Sequence, residues 1–136
     1  MPSHSWAHRF DGHGRCQWAN RGHAGAMSGS SAAPRSQVLR LADMATYQDG
    51  AVVSRQVVRA DTGNVTLFAF DAGQELSEHT APFDALVHVI DGDAAITIAG
   101  RPFRLSAGDA IVLPAGQPHA VKAMSRFKML LTMIRA

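Results

Sequence analysis

The sequence has little cysteine, no long apolar run and no strong excess of charge. Its one cysteine among 136 residues, Cys16, excludes an intramolecular disulfide. A reducing compartment is consistent with this cysteine usage, so we expect a cytoplasmic protein. No apolar run approaches the roughly 20 residues of a membrane span, and the N-terminus lacks the apolar segment of a secretory signal. We therefore expect no membrane partner.

The basic character of the chain comes from its first quarter. Residues 1–35 contain four arginines and one aspartate, which leaves nine basic and ten acidic residues for the rest of the chain. A nearly neutral folded part offers no electrostatic footprint for nucleic acid, so we expect no nucleic-acid partner. The sequence also shows no nucleophile beside a base and no glycine loop that would hold a phosphate.

The first 36 residues have the composition of an unfolded segment. They hold five of the twelve glycines and four of the seven histidines, and no apolar period runs through them. Such a segment buries too little apolar surface to offset its ordering entropy. We predict a disordered tail at 1–36 and a folded domain at 37–136, and we keep the hypothesis that Met27 is the native start.

From Ala51 onward the pattern is typical of β-structure. Eight short segments rich in β-formers are separated by Gly, Pro and Asp, which predicts an all-β sandwich or barrel. The sequence Asp91-Gly92-Asp93 predicts a hairpin, and we predict a loop at 71–84. Residues 37–49 fit either a short helix or an extended arm. The predicted strands cover 51–59, 65–70, 85–90, 94–99, 103–105, 110–113, 119–124 and 127–134.

Two stretches, 71–92 and 108–123, carry glycine, proline and histidine at fixed offsets. Their structural positions are Gly73, Gly92, Gly108, Pro114 and Gly116, and each stretch adds one histidine, His79 or His119. This framework resembles the two signature motifs of small single-domain cupins, the RmlC-like jelly rolls. The resemblance covers the chain from about Ala51 to its end. It implies a single jelly-roll β-barrel, and small cupins often pair, so it also implies a homodimer.

The resemblance carries only half of a metal site. In cupins, two histidines, a glutamate and a final histidine bind a divalent metal. Position by position, His79 is the first ligand and His119 the last, whereas Ala81 and Ala85 occupy the places of the second histidine and the glutamate. Asp84 is the candidate substitute, one residue out of register.

Strand alternation argues against several other candidates. Asp84 and His88 share one parity, so both should face away from the pocket unless a bulge intervenes. Glu75 and Glu78, in the predicted loop, could reach either way. Alternation places His119 inward because Lys122 falls on the opposite face.

These features predict a barrel that binds a small polar ligand, with His79 and His119 also available to a divalent metal (Fe, Mn, Zn or Ni). One alternative is a metal-dependent dioxygenase or isomerase acting on a small metabolite. The other is a metal-free module that binds or senses a metabolite. Neutral imidazoles would be the metal ligands, so we expect binding to fail below about pH 6. Nothing in the sequence selects a substrate.

Overall fold

A computed structural model of the chain describes residues 32–135 together with the backbone of two N-terminal strands, β1 and β2. The strands are β1 Trp6–Phe10, β2 Cys16–Ala19, β3 Val52–Ala60, β4 Gly63–Phe70, β5 Glu75–His79, β6 Asp84–Asp91, β7 Asp93–Ile98, β8 Arg101–Ser106, β9 Ala110–Leu113, β10 His119–Ala123 and β11 Phe127–Ile134. A 3-10 turn spans Leu41–Asp43. The described residues contain no helix long and apolar enough to cross a membrane.

The strands form two antiparallel sheets. The larger has the order β2-β1-β3-β4-β11-β6-β9, and the smaller has the order β5-β10-β7-β8. Their inner faces enclose one apolar core, so the architecture is the expected all-β jelly roll. Strands β8 and β9 are each an edge of a sheet, and no ladder joins them. The barrel wall therefore has a seam between β8 and β9.

Alternating side chains build the core from the strand pattern. In β6 every second residue is buried, which places Ala85, Val87 and Val89 inside and His88 outside. Such alternation is what a half-buried strand requires. At the centre of the core, the Phe70 and Phe127 rings stack with their centroids 4.5 Å apart.

The arm before β3 covers part of the outer face of the large sheet. Met44 and Ala45 are buried against Leu67 and other residues of that face. The arm is also held by polar contacts. Lys128 is 9% exposed, its Nζ donates a hydrogen bond to the Ala42 carbonyl, and it lies 4.9 Å from the centre of the Tyr47 ring. The open choice at 37–49 is thus resolved as an extended arm with one 3-10 turn.

Two local predictions are wrong. The stretch at 71–84 is not a loop throughout, because it contains strand β5. Leu76 is the only buried residue of this strand, so the sequence shows no alternation there. The predicted hairpin at Gly92 is absent, because β6 pairs with β11 and β9 whereas β7 pairs with β10 and β8. Gly92 instead marks the corner at which the chain passes from one sheet to the other. A true two-residue hairpin lies at Ala99 and Gly100, where both φ angles are positive, at 49° and 81°, as a type I′ turn requires.

Within the segment predicted to be a disordered tail, the structure describes β1, β2 and residues 32–36. Strand β1 pairs with β2 and with β3, and Ala33 is buried. The other tail residues, including Met27, lie outside the described part of the chain. For them disorder stays a prediction.

Candidate ligand and metal site

The two motif histidines meet across neighbouring strands. His79 is the last residue of β5 and His119 is the first residue of β10, and they are paired in the ladder. A register shift follows at once, since Val121 pairs with Leu76, so two residues of β5 oppose one of β10. A bulge of this kind re-aims the side chains beside it. The local backbone thus brings the two imidazoles together.

The rings meet in a T-shaped arrangement, with their centroids 4.3 Å apart. Their Nε2 atoms are 3.1 Å apart, and the rings are nearly perpendicular, at 69°. Each Nδ1 faces a backbone carbonyl: the Ser77 oxygen lies 2.8 Å from His79 and the Gln117 oxygen 3.3 Å from His119. A carbonyl oxygen only accepts, so each Nδ1 carries the hydrogen and donates it. Both Nε2 atoms are then lone-pair acceptors that lie side by side.

Electrostatics keep His119 neutral. The ring is 6% exposed. Burial, and then the neighbouring His79, lower the pKa of His119 below its usual 6.5, while the hydrogen bond to the Gln117 carbonyl opposes this shift. His79 is exposed to solvent. The pair therefore combines one buried and one accessible imidazole, which is suited to receiving a cation or a hydrogen-bond donor from outside.

The positions of the missing family ligands offer no donor. Ala85 points into the core and is 7% exposed, beside Leu113 and Met133 in the ladders. Asp84 is exposed on the opposite face, and its Oδ1 accepts a hydrogen bond of 2.8 Å from the Ala115 N–H. Asp84 therefore tethers the loop that precedes His119, and it is not brought to the imidazoles.

The other candidate side chains also stay apart. Glu75 and Glu78 are exposed on β5 and line a shallow concavity with Lys122. His88 lies on the outer face of β6, exposed. Among the described residues, no group of three or more His, Cys, Asp or Glu side chains could hold a metal ion. The protein donor set of the site is the two histidines.

Sequence reasoning did not find the carbonyls that fix the tautomers, at Ser77 and Gln117. Each lies two residues before its histidine, a spacing that carries no side-chain signal. It also did not consider Arg101. Arg101 shares the parity of Leu105, a buried residue of β8, and this alternation could have placed it facing inward.

Comparison with known proteins supports this fold. The family model described as "Cupin domain" matches residues 66–135. The chain belongs to the cupin family. A conserved protein of unknown function from Streptococcus pyogenes is similar to this cupin, with 36% identity and a TM-score of 0.73 over 76% of this chain and 91% of the other. A cupin 2 conserved barrel domain protein from Leptotrichia buccalis has 40% identity and a TM-score of 0.69, over 71% of this chain and 47% of that one.

An uncharacterised protein of Streptomyces coelicolor is 34% identical over 71 residues, which are 52% of this cupin and 66% of that relative. The cupin thus spans slightly less than two thirds of this curated relative.

The motif glycines of the cupin all adopt positive φ, at 83° for Gly73, 76° for Gly92, 96° for Gly108 and 77° for Gly116. The turn after Pro114 is also tied to the first motif, because the Gly116 N–H donates to the Ala81 carbonyl at 2.8 Å.

Proposed function

We propose that this cupin binds the polar end of a small molecule between His79 and His119. The observation that carries the proposal is the pair of Nε2 atoms 3.1 Å apart, each left as an acceptor by the carbonyl on its Nδ1. Two adjacent lone pairs repel unless a proton, a donor or a cation interacts with both of them. A hydroxyl, an amine or a metal ion supplies what the pair lacks.

A divalent metal is the second candidate, and the donor spacing favours it. With metal–nitrogen bonds of about 2.0–2.1 Å, two ligands at a right angle have nitrogens roughly 2.9 Å apart, whereas tetrahedral ligands are roughly 3.3 Å apart. The observed 3.1 Å lies between these two values. His79 and His119 would hold the ion, iron, manganese, zinc or nickel, and the ion would supply Lewis-acid chemistry.

Two protein donors leave most metal positions to water and ligand, so a third donor would have to come from the bound molecule. This arrangement supports binding or sensing at least as well as a dioxygenase or isomerase, which normally uses two histidines and a carboxylate. We propose a cytoplasmic location, because a single cysteine is consistent with a reducing compartment. We also propose a homodimer, by analogy with other small cupins.

The test compares the full-length protein with His79→Gln, His119→Gln and the matched control His88→Gln. His88 is an exposed histidine on the outer face of β6, so all three variants remove one imidazole and leave the N-terminal histidines unchanged. Each protein is dialysed against Zn²⁺, Mn²⁺, Ni²⁺ or Fe²⁺ and its metal content is measured. Circular dichroism checks that each variant is folded.

We expect a loss of about one metal per chain in both site variants and no loss in the control. If metal content is equal in all four proteins, the metal candidate is wrong. Metabolites are then screened by thermal shift. Direct binding requires that a shift seen in the wild type disappear in His79→Gln and His119→Gln. A shift that persists in both variants would refute a site at the histidine pair.

A further inference from the structure

The seam between β8 and β9 opens into a groove next to the histidine pair. Its volume is about 380 Å³, within the usual range for small-molecule sites. Because neither edge strand is paired across the seam, no ladder closes this groove. Its lining combines both edges with the loop before β10: Ile98, Arg101, Phe103, Val112, Pro114 and Gln117.

The ladder connects this groove to the histidines. His79 pairs with His119, His119 pairs with Ile98, and Ile98 pairs with Arg101. Residues paired directly across antiparallel strands project from the same face, about 5 Å apart. The four side chains therefore form one row on the same face of the small sheet, in which His119 and Ile98 are buried and the two ends, His79 and Arg101, are exposed. Gln117 adds a second link, because it lines the groove and its carbonyl accepts from His119.

Arg101 is the only charged residue of the lining. Its guanidinium carbon lies 5.3 Å from the centre of the Phe103 ring, a cation–π contact that holds the group over an apolar wall. Among the described residues no carboxylate pairs with it, whereas Arg126 has two aspartate partners. The groove thus presents one cation without an anionic partner, beside aromatic and aliphatic surface.

We propose that this groove binds a small carboxylate with an aromatic or aliphatic body, and that Arg101 binds the carboxylate. Arginine offers two parallel N–H donors to a carboxylate, a geometry that lysine lacks. The body of the ligand packs on Phe103, Ile98 and Val112. The inference rests on the proposed ligand-binding function and names its ligand class. It makes Arg101 a specificity-determining residue.

The probe is 4-fluorobenzoate, titrated into the full-length protein and followed by ¹⁹F NMR. For a probe of this size we expect a dissociation constant on the order of millimolar. Arg101→Gln should weaken binding at least about tenfold, and Arg101→Lys should weaken it less. The matched control is Arg104→Gln, which removes the same charge from the opposite face of β8 and should leave the constant within about twofold. The neutral 4-fluorobenzamide should bind at least about tenfold more weakly than the acid.

Equal weakening by Arg101→Gln and Arg104→Gln would overturn the proposal, because the effect would then reflect net charge. Equal binding of the acid and the amide would overturn it too, as would the absence of saturable binding by the wild type. Metal content separates these failures from failure of the histidine site. Arg101→Gln keeps both imidazoles, so it should retain metal whenever the wild type does. If 4-fluorobenzoate does not bind while metal is lost only in the histidine variants, the groove proposal is wrong and the histidine site is not.

Discussion

Replacing Gly92 by alanine should destabilise this cupin much more than replacing Gly100. Both glycines have positive φ, 76° and 81°. A Cβ on Gly92 would lie 2.0 Å from the Arg126 carbonyl oxygen and 2.8 Å from the Phe127 Cα, whereas one on Gly100 would meet no atom within 4 Å. Both of these atoms belong to the backbone at the start of β11, so the clash cannot be relieved by the rotation of a side chain.

The comparison isolates the clash from the backbone conformation. Gly100→Ala incurs only the left-handed conformation, about 1–2 kcal/mol. Gly92→Ala incurs the same cost and must also displace the corner from β11, and overpacking of this kind adds about 1–3 kcal/mol. We expect urea denaturation to show Gly92→Ala less stable than Gly100→Ala by about 2 kcal/mol. A difference below about 0.5 kcal/mol would refute the view that Gly92 is required by close packing at the sheet corner.

Two further predictions concern aspartates. Asp84→Ala removes the acceptor for the Ala115 N–H and should cost about 0.5–1.5 kcal/mol in denaturation, whereas Asp84→Asn keeps an acceptor and should retain most of this stability. A fall in metal content in Asp84→Asn would contradict the role of Asp84 as a loop tether. The pKa of Asp71 is lowered below 3.8, first by the Gly50 N–H and then by Arg126. As the pH falls, the Asp71 carboxylate is protonated in the unfolded state before it is protonated in the folded state. The stability that it contributes is therefore present above about pH 4 and is lost as the pH falls through the folded pKa. Asp71→Asn should flatten this acid dependence in denaturation curves measured between about pH 6 and pH 2, and an unchanged slope would contradict the assignment.

Alternation within strands could be predicted from the sequence because it is local. The parity of β6 correctly separates Asp84 and His88, on the outer face, from buried Ala85. The parity of β10 correctly buries His119 and exposes Lys122. In both strands one face meets the core and the other meets solvent, so apolar and polar residues alternate with a period of two in the sequence.

The choice of strand partners could not be predicted in the same way. The turn signal at Gly92 indicates that the chain changes direction, but a hairpin and a corner between two sheets share that signal. The difference lies in β11, whose start approaches Gly92 closely and which lies far along the chain. Strand β5 could not be predicted for a related reason. It has a single buried side chain, and it is held by its pairing with β10, which is distant in the sequence.

Polar residues that become buried are the hardest to predict. Lys128 lies in the predicted strand at 127–134, and it is 9% exposed beneath the arm, where it contacts the Tyr47 ring and the Ala42 carbonyl. A buried ammonium needs such partners because desolvation is costly. The partners lie in a segment whose conformation the sequence left open, so no local pattern could indicate the burial.

The absence of a protein carboxylate determines what the site can accept. Ala85 occupies the place of the family's glutamate and is enclosed by Leu113 and Met133, so the core leaves no acid there, and Asp84 is committed to Ala115. A divalent ion on two neutral imidazoles keeps its full charge, and an anionic ligand would neutralise it. Arg101, without an anionic partner among the described residues, favours the same property in a ligand. Both groups therefore favour an anionic ligand, and because the histidine and arginine variants remove different groups, the two contributions can be measured separately.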